Sequence, residues 1–284
     1  MAEEDAPEPG RFDRDTAVRA EDGEGAVRTF GAVVSGEWRA GRGPHGGYLA
    51  AMILRALMLA VDDPGRAPRS LTIHYARRPE DGPARIITTV ERAGRSLSTL
   101  SARMEQDGRM IALALAAFSV PWSGGPDVSE IAMPEVAPPE PGREPGTLFK
   151  EGAPPFTRFI TIQPRIGGRP FPPEPGSMEL GGWLGLAEPR PIDALSLAFF
   201  TDALLPAPFM RLPAPTAAPT IDLTIHFREP MPRVPDPDPA ELVLARVRGG
   251  VIHQGFFEED VTLWAQDGTV LAQSRQLALL LPMI

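Results

Sequence analysis

No cysteine occurs among the 284 residues, which removes disulfides, thiolate nucleophiles and thiolate metal sites. The four histidines are scattered, so no metal site is expected. Positive charge is scarce: 28 Lys and Arg against 37 Asp and Glu leave a net charge of −9, with no field to attract nucleic acid or an anionic membrane. Long apolar runs are missing as well. The longest, Tyr48 to Val61, is interrupted by Arg55 and falls short of the roughly 20 residues needed to cross a bilayer. The start, MAEEDAPEPGRFDRD, is acidic where a secretory leader would be basic and then apolar, so a cytoplasmic protein without a membrane partner is expected. No phosphate-binding glycine loop of the Walker or dinucleotide type is present, and no cofactor is implied. The chemistry falls to oxygen and nitrogen side chains.

What is present is a repeated pattern with 43% hydrophobic residues, enough for a sizeable core. Two stretches read as poorly structured: the charged start (1–25) and a proline-rich linker (121–155). They delimit halves at 26–120 and 156–284. Leu71 to Pro79 reads LTIHYARRP and Leu223 to Pro230 reads LTIHFREP, offset by 223 − 71 = 152. Gln106-Asp107-Gly108 answers to Gln266-Asp267-Gly268, offset by 266 − 106 = 160. Each half also sets an apolar segment before its LTIH strand: Tyr48 to Val61, and Ile192 to Leu205. A helix apolar nearly all round must be enclosed by protein. The later segments alternate with period two and break at Asp-Gly turns, the pattern of antiparallel strands. A buried helix wrapped by a curved antiparallel sheet is the hotdog arrangement, so the expected fold is α+β, a double hotdog with one long central helix per repeat.

Polar residues present in one repeat and absent from the other are candidates for function. Leu195, Ala198, Phe199 and Asp202 fall at helical spacing, placing the Asp202 carboxylate on an apolar stripe where it suits general-base work. The bland reading is a carboxylate that reaches solvent near the helix end before Pro206. Thr220 opens the strand PTIDLTIHF, and its counterpart is Pro68. Strict alternation groups Thr220 with Asp222, Thr224 and His226 on one polar face. Gln276, whose counterpart is Ala116, is an amide among leucines that needs a partner if buried. His45-Gly46-Gly47 precedes the first apolar helix, where free N–H groups would suit a thioester carbonyl or a phosphate. His74 and His226 occupy equivalent positions, which argues for a structural place on a strand face.

The segments HGGYLAAMILRAL, RSLTIHYARRPEDGPARIITTVERAGRS and ARMEQDGRMIALALAAF resemble the N-terminal hotdog of the acyl-CoA thioesterase II family. FFTDALLP, PTIDLTIHFREP and AQSRQLALLLP resemble its C-terminal hotdog. The resemblance runs from about Gly36 to Pro282. It implies hydrolysis of acyl-CoA by water that an aspartate, a hydroxyl residue and a glutamine activate, here Asp202, Thr220 and Gln276. The family often has a histidine where this chain has Leu223, and a glutamine near Ala50 and Ala51. These departures bear on substrate range rather than reaction class.

The expected mechanism is direct water attack with Asp202 as base, Thr220 and Gln276 holding the water, and main-chain N–H groups near Gly46 and Gly47 receiving the oxyanion. Tyr48, Met52 and Phe199 are candidates to line an acyl tunnel. Two other functions remain open at this point: an enoyl-CoA hydratase using Asp222 and His226, and a non-catalytic acyl-CoA binder. Pairing of two copies into a homodimer is compatible with the fold.

Overall fold

The computed structural model describes residues 9–122, 124–142, 153–171, 174 and 176–281. In chain order the first half holds α1 (Arg11–Asp15), β1 (Val18–Glu24), β2 (Val27–Val34), the two-residue strands β3 (Arg39–Ala40) and β4 (Gly43–Pro44), α2 (Gly46–Val61), β5 (Ala67–Tyr75), β6 (Gly82–Ala93), β7 (Leu97–Gln106) and β8 (Arg109–Ser119). The second holds β9 (Ile160–Ile166), β10 (Glu179–Leu186), α3 (Ala194–Phe200), β11 (Thr220–Phe227), β12 (Val243–His253), β13 (Phe256–Trp264) and β14 (Val270–Leu279). Twelve of these strands make one antiparallel sheet in the order β1-β2-β6-β7-β8-β5-β11-β14-β13-β12-β10-β9.

The halves meet where β5 pairs with β11. Leu71 faces Ile225, Thr72 faces Thr224 and Ile73 faces Leu223, so equivalent residues oppose one another about the Thr72–Thr224 pair. Their hydroxyl oxygens are 3.1 Å apart. Outward from this seam the strand order is the same in both directions.

A helix of 16 residues is marginal alone, so α2 owes its stability to packing. Leu49, Met52, Ile53, Leu54 and Leu57 are all buried against the sheet, each contributing on the order of 1.5–3 kcal/mol. The single charge on this helix, Arg55, reaches Asp13 at 2.9 Å and the Thr16 hydroxyl at 2.8 Å. No helix among the described residues is long and apolar enough to cross a membrane.

Three expectations are corrected. The second apolar segment does not form a long helix: α3 spans seven residues. Asp193 starts it through a reciprocal capping box with Ser196, and beyond Phe200 the chain tightens, with Asp202 N–H bonded to Phe199 O at 3.2 Å. Pro206 disfavours helical backbone at Leu205, so the run could not continue to the end of the apolar segment. Next, residues 11–24 are ordered as α1 and β1 rather than flexible. Phe12 is buried against Trp38 and Phe199, and Asp13 also binds Arg190 of the second half; average composition conceals these few strong anchors. Last, the linker is not free along 131–140. Met133 and Val136 cover Trp183 and Trp264 on the outer sheet face, and the Trp183 indole donates to Ala137 O at 2.8 Å. Residues 1–8, 123 and 143–152 of the expected flexible stretches lie outside the described residues.

Candidate active site

Two helix ends, one from each half, meet at Asp202. His45 caps α2: its Nδ1 accepts from Tyr48 N–H at 3.3 Å, which leaves the ring proton on Nε2 to donate to Asp202 O at 2.9 Å. Burial lowers the imidazole pKa more than the Asp202 charge raises it, so the ring is neutral. The 3.6 Å approach of Nδ1 to Asp202 Oδ2 is thus two acceptors facing each other, not an ion pair. Asp202 Oδ2 instead accepts from Gly47 N–H at 2.8 Å. A Cβ on Gly47 would lie 2.6 Å from Phe199 O, and one on Gly46 would lie 2.8 Å from Asp202 Oδ2. The glycine pair therefore permits the helix start to touch the opposite half. Tyr75, at the end of β5, donates its hydroxyl to Gly46 O at 2.8 Å, and burial, helped by Asp202, raises its pKa so that it stays a donor. Phe199 packs beside the His45 ring, 5.0 Å between centroids.

The second group of polar residues is carried by β11, β13 and β14. Thr220 Oγ1 donates to Gln276 Oε1 at 3.0 Å, and Gln276 Nε2 donates to Glu259 Oε1. Glu259 Oε2 accepts from Ala207 N–H at 2.7 Å. Gln276 and Glu259 are each 4% exposed, so every polar contact here replaces one with water. The Glu259 pKa is raised to about 7: burial is the main cause, the bonds from Ala207 and Gln276 oppose it, and the negative charge of Asp202 adds to the rise. No hydrogen bond among the described residues joins Asp202 to Thr220, Gln276 or Glu259.

A β-bulge aims Thr220. Thr220 lies opposite Ala278 while Asp222 lies opposite Leu277, so Ile221 is an extra residue in β11. The bulge turns Thr220 onto the inner face, with Leu223 and Gln276, and away from Asp222, Thr224 and His226; strict alternation missed this. The first half has the same bulge, between Pro68 and Ser70. Its register puts Leu71 opposite Ala116 and Ala116 opposite Leu100, as Leu223, Gln276 and Glu259 line up in the second half. Pro68, Ala116 and Leu100 thus stand where Thr220, Gln276 and Glu259 stand. One half has an apolar set and the other a hydrogen-bonded chain on the same framework.

Residues 34–119 match the acyl-CoA thioesterase N-terminal domain family, and residues 133–280 match the acyl-CoA thioesterase C-terminal domain family. The chain belongs to the acyl-CoA thioesterase family. It is a thioester hydrolase, and its sheet is of the hotdog type. A conserved protein of unknown function with a hot dog fold from Alicyclobacillus acidocaldarius is similar at 27% identity and TM-score 0.83, over 97% of this chain and all (100%) of that one. A candidate thioesterase II from Thermobifida fusca is similar at 25% identity and TM-score 0.76, over 96% and 98%. An uncharacterised protein of Mycobacterium tuberculosis is 26% identical over 90% of this chain and 92% of its own.

In this thioesterase Gly46, Gly47, Phe199 and Asp202 come together, and Thr220 joins Gln276. Asp202 itself is in the turn after α3, not on a helical stripe. Tyr48 and Met52 are fully buried in the core. The Tyr48 ring stacks on Trp38, and its hydroxyl donates to Asp15 O at 2.7 Å and accepts from Ser35 N–H at 3.2 Å. Asp222 and His226, four residues apart on one strand, are separated by on the order of 13 Å and cannot act as a pair. Grooves of about 730 Å³ beside β1 and β2, and of about 510 Å³ on the outer face of the second half, are lined by none of Asp202, Thr220 or Gln276.

Sequence reasoning missed Glu259 and Tyr75. The signal for Glu259 was its apolar counterpart Leu100, but these differ by 259 − 100 = 159, one less than the Gln-Asp-Gly anchors, and Glu259 is the middle of three consecutive acids. Only the strand register resolves which acid points inward.

Proposed function

We propose that this thioesterase hydrolyses acyl-CoA to a free carboxylic acid and CoA by direct water attack, on a double hotdog whose second repeat carries the reactive side chains. Asp202 takes the proton from the water, and Thr220 with Gln276 holds the water in place. The observation that carries this reading is the asymmetry of the repeats. Three buried or half-buried polar groups, hydrogen-bonded in a chain, occupy positions that are apolar in the other half, and the same half supplies a carboxylate fixed at a helix start. Gly47 N–H is occupied by Asp202, so the oxyanion falls to the Gly46 N–H, which at the first helical position has no acceptor within the helix.

The balance is simple. Water oxygen bonds to the acyl carbon, Asp202 receives the proton, and the C–S bond breaks as the CoA thiolate leaves and is protonated. No covalent enzyme intermediate is needed.

Thiol release from short, medium and long acyl-CoAs, compared between wild type and Asp202→Asn, tests the assignment. General-base help is worth roughly a hundred- to ten-thousandfold, and the variant should lose turnover on that scale while folding normally. Wild-type turnover in Asp202→Asn rules the assignment out.

A further inference from the structure

Glu259 is a buried carboxylate that the reaction as described does not use. Its two oxygens meet one main-chain donor, Ala207 N–H, and one side-chain donor, Gln276 Nε2. The charged groups that act on it are Asp202 and, from the opposite face of its own strand, Glu258, both negative. On β12 it faces Gly249. The nearby cations Arg248 and Arg275 are engaged on the outer face with Glu179 and Asp260. Among the described residues, no positive charge therefore holds Glu259 in place.

Hydrogen-bond polarity gives the residue a role. An ionised carboxylate only accepts, so it admits one orientation of the Gln276 amide: Nε2 toward Glu259 and Oε1 toward Thr220. The amide oxygen has no proton either, so the Thr220 hydroxyl must donate to it, as the 3.0 Å contact records. The free lone pairs of Thr220 Oγ1 can then only accept.

We propose that Glu259 is a positioning residue for thioester hydrolysis: through Gln276 it fixes Thr220 as an acceptor of the attacking water's proton. This rests on the reading of Asp202, Thr220 and Gln276 given above. A water bonded to both Asp202 and Thr220 spends its two protons on them and turns its lone pairs to the acyl carbon. When Glu259 is protonated, its O–H donates to Gln276 and the amide reverses. Gln276 Nε2 then donates to Thr220, and the Thr220 proton turns onto the water, occupying the lone pair that must attack. The raised Glu259 pKa, about 7, places this reversal in the neutral range.

The test is the pH profile of kcat and KM for wild type, Glu259→Gln and Asp202→Asn, with thiol release from one well-accepted acyl-CoA. Wild type should show an acidic limb in kcat with an apparent pKa near 7. Glu259→Gln should lose that limb and fall in kcat by roughly ten- to a hundredfold at the alkaline plateau, with KM held, because the attacking atom is misaligned rather than the substrate unbound. A purely structural role would lower thermal stability and leave the shape of the profile alone. Wild-type kcat and profile in Glu259→Gln, with Asp202→Asn inactive, overturns the proposal and leaves the base assignment standing. Full activity in Asp202→Asn removes the underlying reading and the proposal with it. Where Glu259→Gln does not fold, the wild-type profile decides, and a flat kcat from about pH 6 to 8 overturns the proposal.

Discussion

Gly47 of the first half donates its main-chain N–H to the carboxylate of Asp202 in the second, at 2.8 Å. The carboxylate proposed as the base is thus oriented by a helix that belongs to the other repeat, and the proposed site draws on both halves although its side chains come from one.

Gly47→Ala should disable the enzyme although it replaces none of the side chains proposed to react. The added methyl would sit 2.6 Å from Phe199 O and 3.1 Å from Asp202 Cβ, and main-chain atoms cannot swing aside. Displacing Asp202 by about an ångström is expected to cost kcat on the order of a hundredfold. Steady-state thiol release measures this, and a kcat within twofold of wild type would show that the close approach is not needed.

Thr220→Val keeps the shape of the side chain and removes the hydroxyl, whereas Thr220→Ser keeps the hydroxyl. The first should lower kcat by about a hundredfold and the second should recover most of it. Equal activity in both variants would remove Thr220 from the mechanism.

Tyr48→Phe should act on stability rather than on substrate. Its hydroxyl satisfies Asp15 O and Ser35 N–H within the core, so the variant leaves buried groups unpaired at a cost of about 1–3 kcal/mol. Thermal unfolding should show the loss while KM for acyl-CoA is unchanged. A shifted KM with an unaltered melting temperature would return Tyr48 to the substrate pocket.

Stability should also report Glu259 directly. Its folded pKa of about 7 lies above the ordinary value of 4.5, so its proton is held more tightly in the folded state. The corresponding contribution is fully present below about pH 4.5 and is lost as pH rises through 7, roughly 3 kcal/mol in all. Wild type should therefore lose melting temperature between about pH 5 and 8 more steeply than Glu259→Gln, whose amide does not titrate. Parallel curves would place the Glu259 pKa elsewhere.

The repeat and its antiparallel strands were legible in the sequence because hydrophobic period and turn dipeptides are local signals. The pairing of Thr220 with Gln276 was not, because a single extra residue, Ile221, reverses the face that alternation assigns. The short α3 was hidden because an apolar run looks the same whether it is helix or buried turn, and only Pro206 marks the limit. Glu259 was hidden among neighbouring acids, since register rather than composition decides which of Glu258, Glu259 and Asp260 points inward. Contacts between halves, such as Gly47 with Asp202, have no sequence signature beyond the glycines themselves.

The seam at Thr72 and Thr224 bears on how such a site can arise. Two identical single-repeat chains joined in this way would carry every substitution twice, once on each side of the axis, and would keep two equal sites. Joined as one polypeptide, the two sides are free to differ. Thr220, Gln276 and Glu259 can be acquired on one side while Pro68, Ala116 and Leu100 stay on the other. The expected stoichiometry is one reactive centre per chain, with the unreactive half retained as the rigid support that presents Gly47.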